Sequence, residues 1–233
     1  MSTLERADYR DGQTALTGWV ARPAGPPRAA VAIFPTIMNP TPVVEAKALA
    51  LAEAGYLAFV ADFYGAEVPD FQASMKLAEA LRGDVDAYRQ RLLAALTAMR
   101  AIPEAAGLPM LAIGFCMGGQ AVLELARANA RVLAVASFHG LLETGRKADQ
   151  PITPRILVCH GDADALVPRS HVLAFWEEMD AASANWHFHS YSGVPHGFTN
   201  PRPSPATGTV SYDPSADRQS WAAMLGLFDE VLG

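Results

Sequence analysis

One stretch limits this chain more than any other: Met110-Leu-Ala-Ile-Gly114-Phe-Cys116-Met-Gly118-Gly119-Gln120. Met110–Phe115 is a short apolar run that reads as a buried strand, and the residues from Gln120 to Arg127 have helical spacing. A strand that turns at once into a helix forces the residue at the bend into a strained conformation, typically with positive φ. It also crowds the two elements, so positions two away need no side chain. Gly114, Gly118 and Gly119 flank a cysteine here, which gives the G-x-nucleophile-x-G elbow with a thiol where serine is usual. Such a bend holds its side chain clear of the sheet at a helix N-terminus. There the dipole and free N–H groups favour a thiolate and, later, an oxyanion.

The rest of the chain supplies alternating elements around that bend. Glu5–Arg10 and Ala15–Ala21 alternate loosely about Asp11-Gly12 and read as an antiparallel hairpin. Ala29–Phe34 is a buried strand. Thr41 caps a helix that has Pro42 at its first position and runs to about Ala54, and Gly55 ends it. Tyr56–Val60 is the next strand. Residues 66–83 hold Phe71, Met75, Leu77 and Leu81 at mixed spacing, which predicts only a short, poorly fixed helix. Helices follow over Asp84–Arg100, Cys116–Asn129 and Arg169–Ala182, with strands at Val132–Phe138, Arg155–Cys159 and Trp186–Tyr191. Glu143–Thr153 is a polar loop with no sign of an inserted lid domain, and Ser192–Tyr212 is a long loop rich in Pro and Gly. Asp213-Pro214 caps a final helix to Leu232. Strand–helix alternation predicts an α/β fold: a mostly parallel sheet covered on both faces, with the hairpin as an antiparallel N-terminal addition. One domain over residues 1–233 is expected, with no internal repeat and no linker.

Composition narrows the function classes. An apolar fraction of 51% is globular, and a net charge of −6 leaves no footprint for nucleic acid and no polybasic membrane patch. No apolar run approaches a membrane span, and the polar start lacks a signal region, so a cytoplasmic protein is expected. Cys116 and Cys159 lie on different expected strands and read as reduced thiols rather than a disulfide.

A cysteine at an elbow needs a base and a group to orient it. In an α/β-hydrolase layout these come later in the chain, acid before histidine. Asp164 lies just past a strand end in Gly161-Asp-Ala-Asp164-Ala-Leu-Val-Pro168, and His196 lies in the long loop in Gly193-Val-Pro-His196-Gly-Phe198. Asp162 competes with Asp164. The Gly-x-x-Asp spacing favours Asp164, which leaves Asp162 to bond loop backbone.

These motifs carry a resemblance. Gly114-Phe-Cys116-Met-Gly118-Gly119, Gly161-x-x-Asp164-x-x-Val167-Pro168 and Pro195-His196-Gly197-Phe198, in that order, make the chain similar to the dienelactone hydrolase family of the α/β-hydrolase fold. Gly55-Tyr56 and Ala61-Asp-Phe-Tyr-Gly65 echo it more weakly, and the likeness runs from about residue 5 to 232. The resemblance implies a cofactor-independent hydrolase of small-molecule esters or lactones. Cys116 would be the nucleophile, His196 the base and Asp164 its orienting acid. The backbone N–H groups of Met117 and Ile37 would form the oxyanion hole. The sequence departs from the best-known member in two places. The loop Pro35-Thr-Ile-Met38 lacks a carboxylate that would restrain the resting thiol, and Arg202 is not a clear match for an arginine that holds a substrate carboxylate. A non-catalytic binding module or thiol redox sensor on the same fold is the alternative, supported by that missing carboxylate.

Other reactive side chains have plainer readings. Cys159 sits inside an apolar strand as a core residue. His160 reads as a structural strand-end residue, and Phe175, Trp176 and Met179 as the core face of a helix. His187 and His189 share one face of a strand, but no third metal ligand has suitable spacing, and no metal is expected. His139 ends the strand after the elbow helix, near the expected pocket, with no role assigned. No dinucleotide fingerprint or P-loop is present. Oligomeric state is not legible.

Overall fold

The computed structural model describes residues 3–201 and 210–233, and two compact units divide the chain, Met1–Ala112 and Ile113–Gly233. The first unit opens with the hairpin β1 (Leu4–Asp11) and β2 (Thr14–Ala21), paired antiparallel from Leu4↔Ala21 to Asp11↔Thr14. The turn between them places Gly12 at φ +54, which glycine adopts without a Cβ penalty. β2 then pairs antiparallel with β4 (Leu57–Val60), and β4 pairs parallel with β3 (Ala30–Phe34). Every residue of β3 and β4 is buried, as their unbroken apolar runs require of a strand covered on both faces.

Three helices accompany these strands. α1 (Pro42–Glu53) starts with Pro42 in its first turn behind the Thr41 cap, whose side chain accepts from the Val44 N–H. α3 (Val85–Arg100) is capped by Asp84. Between them α2 (Phe71–Arg82) is a full 12-residue helix, longer and better fixed than the mixed spacing predicts. Asp70 caps it at 2.8 Å from the Ala73 N–H. Its buried residues are Ser74 and Ala78, four apart, while Phe71 and Met75 are exposed. The docked stripe is made of small residues, so large apolar side chains are poor guides to its face.

Asp62, just past β4, is a hub for this unit. Its Oδ1 accepts from Asn39 Nδ2 and from the backbone N–H groups of Tyr64 and Gly65, and its Oδ2 accepts from the Thr17 N–H. The Tyr9 hydroxyl donates to the Asp62 carbonyl and accepts from its N–H, both at 3.0 Å. One carboxylate thus fixes the loop after β4 against the hairpin.

β5 (Met110–Phe115) leads into the second unit, whose strands run in the order β5, β6 (Ala134–Phe138), β7 (Arg155–Gly161), β8 (Trp186–Tyr191). β6–β7 and β7–β8 are parallel, with Ala134↔Arg155 and Ile156↔Trp186 in register. The helices are α4 (Met117–Arg127), α5 (Arg169–Ala181) and α6 (Pro214–Leu232), the last capped by Asp213 at 2.7 Å from the Ala216 N–H. Expected and observed ends differ by one or two residues, where helices and strands ordinarily fray.

Every residue of α4 is buried, two charged ones included. Arg127 donates to Glu178 on α5 through Nε (2.8 Å) and Nη2 (2.9 Å), to Glu124 through Nη1 (3.0 Å) and to the Leu142 carbonyl (2.7 Å). A guanidinium this far from water survives only when its donors are met in this way. The network anchors the far end of the helix whose first turn carries the cysteine. No helix among the described residues is long and apolar enough to cross a membrane.

Candidate active site

The elbow takes the predicted shape. Cys116 has φ +57 and ψ −116, a positive-φ conformation that a cysteine adopts only when its surroundings enforce it. Those surroundings are backbone. A Cβ added at Gly114 would stand 1.9 Å from the Gly118 carbonyl oxygen, and one at Gly119 would stand 2.6 Å from the Gly140 Cα. Gly140 returns the contact, since its own added Cβ would meet the Gly119 carbonyl carbon at 2.6 Å. The first turn of α4 and the chain leaving β6 therefore touch main chain to main chain. The Cys116 carbonyl accepts from the Gly119 and Gln120 N–H groups, which makes Cys116 the N-terminal cap residue of α4.

Asp164 and His196 form a buried pair. His196 Nδ1 lies 2.7 Å from Asp164 Oδ2, with the ring 4% and the aspartate 3% exposed. Asp164 Oδ1 accepts from the Leu166 N–H at 2.9 Å, so both carboxylate oxygens are engaged. The loop carrying His196 is held by a bridge to Val210, by the Ser211 N–H to the His196 carbonyl, and by a turn closed from Asn200 N–H to Gly197 O. Burial alone drives the proton off the His196 ring. The Cys116 charge, the hydrogen bonds of Asp164 and Cys116, and the Asp164 charge outweigh it and raise the pKa to about 10. Nε2 is buried, and the sulfur acts on the ring first through its charge and second through a hydrogen bond.

Asp162 turns elsewhere. Instead of bonding loop backbone, it forms a two-point pair with the exposed Arg169 at 3.0 and 2.6 Å. Met117 is the first residue of α4, immediately after the thiol. Ile37 belongs to the first unit, in the turn after β3, where its carbonyl accepts from the Tyr64 hydroxyl at 3.0 Å. Arg202 lies outside the described residues. Cys159 is fully buried, and burial pushes its thiol up to about 12. His160 is buried with Nδ1 unpartnered among the described residues, and burial lowers its pKa despite the neighbouring Asp164 and Asp162. Phe175 and Met179 are core residues of α5. His187 and His189 lie on the exposed face of β8, and among the described residues no group of three or more His, Cys, Asp or Glu is placed to hold a metal.

His139 is the residue to which the sequence reading gave no role. It sits at φ +40, directly before Gly140, and is 2% exposed. Its Nδ1 accepts from the Cys116 N–H at 3.2 Å, a donor that also reaches the Phe138 carbonyl at 3.0 Å. Its Nε2 is 2.9 Å from Thr199 Oγ1, and its ring meets that of His196 edge-on with centroids 5.1 Å apart. The available sequence signal was a His-Gly pair where β6 ends.

Comparison with known proteins agrees with this architecture. The family model of the dienelactone hydrolase family matches residues 16–232. A protein of Bradyrhizobium sp. named "Probable 2-oxo-3-(5-oxofuran-2-ylidene)propanoate lactonase" is 30% identical over 200 residues, covering 77% of each chain. An uncharacterized Caenorhabditis elegans protein is 38% identical over 147 residues, 61% of this chain and 93% of that one. Among solved structures, a dienelactone hydrolase-like promiscuous phosphotriesterase from metagenomic libraries superposes with a TM-score of 0.94 at 34% identity, covering 100% of this chain and 99% of that one. With its elbow, its mostly parallel strands and a family match over nearly its whole length, the chain belongs to the dienelactone hydrolase family and has the α/β-hydrolase fold.

Proposed function

We propose that this hydrolase-family member cleaves activated small-molecule esters or lactones through a Cys116–His196–Asp164 triad, by way of an acyl-thioester and without a cofactor. The observation that carries the reading is the buried His196–Asp164 pair at 2.7 Å, on whose ring the elbow thiol acts. The raised His196 pKa supports a resting thiolate–imidazolium pair. The thiolate attacks the acyl carbon while the Met117 N–H at the start of α4 and, by family resemblance, the Ile37 N–H stabilise the oxyanion. His196 then gives its proton to the departing alcohol or enol.

Acylation converts the same imidazole into a base. Once sulfur is bonded to carbon, its negative charge is gone, and the main support for the imidazolium goes with it. Burial then favours the neutral ring, which takes a proton from water for attack on the thioester. Asp164 keeps that ring in the tautomer that accepts at Nε2. A thiolate expels strongly basic leaving groups poorly, so enol lactones and aryl esters suit the site better than amides. The whole chain acts in this reading as one α/β-hydrolase domain, and a reducing compartment such as the cytoplasm suits a working thiolate.

The similarity to a promiscuous phosphotriesterase favours a second substrate class, since the same thiolate can displace the aryl oxide of an activated phosphotriester, with His196 giving its proton to the departing phenol. The test is Cys116→Ala with a chromogenic aryl ester, together with intact mass of the wild type quenched during turnover. Loss of turnover and an acyl adduct on Cys116 are expected. Turnover retained by the variant refutes covalent catalysis at this thiol. Reversible peroxide oxidation with no acyl adduct favours the redox-sensor alternative.

A further inference from the structure

His139 bridges the two loops that carry the reacting groups. The Cys116 backbone N–H can only donate, so His139 Nδ1, 3.2 Å away, holds a lone pair and no proton. A neutral imidazole then carries its proton on Nε2, which donates to Thr199 Oγ1 at 2.9 Å. Thr199 lies three residues beyond His196, inside the turn that follows it, and is 3% exposed. One ring thus ties the nucleophile's own backbone to the segment that sets the height of the base.

The ring is held in its turn. The His139 N–H donates to the Cys159 carbonyl at 2.8 Å, and Phe198 meets the imidazole edge-on at 5.2 Å. A residue at φ +40 is strained, and glycine would adopt that conformation more cheaply. Protonation of Nδ1 would set donor against donor at Cys116 and bring a second cation up to His196.

We propose, on the acyl-transfer reading above, that His139 is a positioning residue: as a neutral Nε2–H tautomer it fixes the elbow backbone and the His196 loop in mutual register through Cys116 N–H and Thr199 Oγ1. It touches no substrate and acts through the other two side chains. Register errors of a fraction of an ångström change the rate of a reaction step rather than ground-state binding, so the effect falls on kcat and the acylation rate, not on KM.

The experiment compares Thr199→Val, Thr199→Ser, His139→Phe and the double variant Thr199→Val/His139→Phe. The readouts are the acylation burst with an aryl ester, KM, iodoacetamide alkylation of Cys116, and melting temperature. Thr199→Val should slow acylation about tenfold with KM unchanged, and Thr199→Ser, which keeps the hydroxyl, should restore it. The double variant should be no slower than His139→Phe alone, because the two changes cut one link. Wild-type acylation and alkylation rates in folded Thr199→Val overturn the proposal, as do losses that multiply in the double variant. If the wild type forms no acyl adduct, the acyl-transfer reading fails. The alkylation rates then decide the proposal by themselves: slowed and rescued by Thr199→Ser supports it, and unchanged overturns it.

Discussion

Replacing Asp164 by asparagine tests the site most sharply, because the geometry offers the amide no satisfactory orientation. Oδ1 accepts from the Leu166 N–H at 2.9 Å and Oδ2 faces His196 Nδ1 at 2.7 Å. If the amide keeps its oxygen toward Leu166, its NH₂ confronts the Nδ1–H of His196. The ring must then shift its proton to Nε2, where it can no longer accept one. If the amide flips, its NH₂ confronts the Leu166 N–H instead, leaving a buried donor unpaired. The cheaper outcome is the first, with the wrong tautomer. In a serine-protease triad that error costs about 10⁴ in kcat. Loss of the Asp164 charge also removes one support of the imidazolium, so a fall of about 10³ to 10⁴ in the deacylation rate is expected, roughly 4 to 5.5 kcal/mol of barrier. The assay is stopped-flow hydrolysis of an aryl ester, which separates the burst from the steady state, with Asp162→Asn as the control. Among the described residues the Asp162 carboxylate hydrogen-bonds to an exposed arginine, so that control should stay within about twofold of the wild type. Steady-state turnover within threefold of wild type in Asp164→Asn, or a comparable loss in Asp162→Asn, would refute the reasoning.

Other expectations follow from the same geometry. Because neighbours raise the His196 pKa from 6.5 to about 10, the stabilisation they provide is fully present below pH 6.5 and is lost as pH rises through about 10. Thermal melts between pH 7 and 10.5 should therefore fall more steeply for the wild type than for Cys116→Ala, and parallel curves would contradict the charge coupling. Gly114→Ala drives a methyl into the Gly118 carbonyl and should cost about 3 kcal/mol or more in urea unfolding, if the variant folds at all. Arg127→Met leaves the Glu124 and Glu178 carboxylates buried without their partner and should destabilise by about 3–5 kcal/mol by the same measurement. Iodoacetamide at pH 8 should modify Cys116 and spare Cys159, whose burial blocks both access and ionisation; peptide mass mapping reads the difference.

The elements whose cause is local were legible in the sequence. The glycines around Cys116 announce the bend because no other residue fits where backbone meets backbone, and Thr41, Asp84 and Asp213 announce their helices by capping them. α2 was hard to read because the residues it buries, Ser74 and Ala78, are small, while Phe71 and Met75 face outward. The Gly-x-x-Asp spacing favoured Asp164 over Asp162, but the role of Asp162 was not legible: its side chain turns to Arg169 rather than to loop backbone. His139 was invisible for a different reason: its ring bonds to the Cys116 N–H and to Thr199 reach distant parts of the chain, and no local pattern marks a tertiary bond.

The contact between Gly119 and Gly140 has a consequence for how this scaffold diversifies. Two bare α-carbons lie in apposition there, with the small Ser137 hydroxyl packed beside them, so the sulfur's elevation is set chiefly by main-chain thickness. Residues lining the cleft are thus free to be exchanged for new substrates without retuning where the reactive atom stands. The same apposition tolerates no gradual drift: a single added methyl at either glycine displaces the warhead outright.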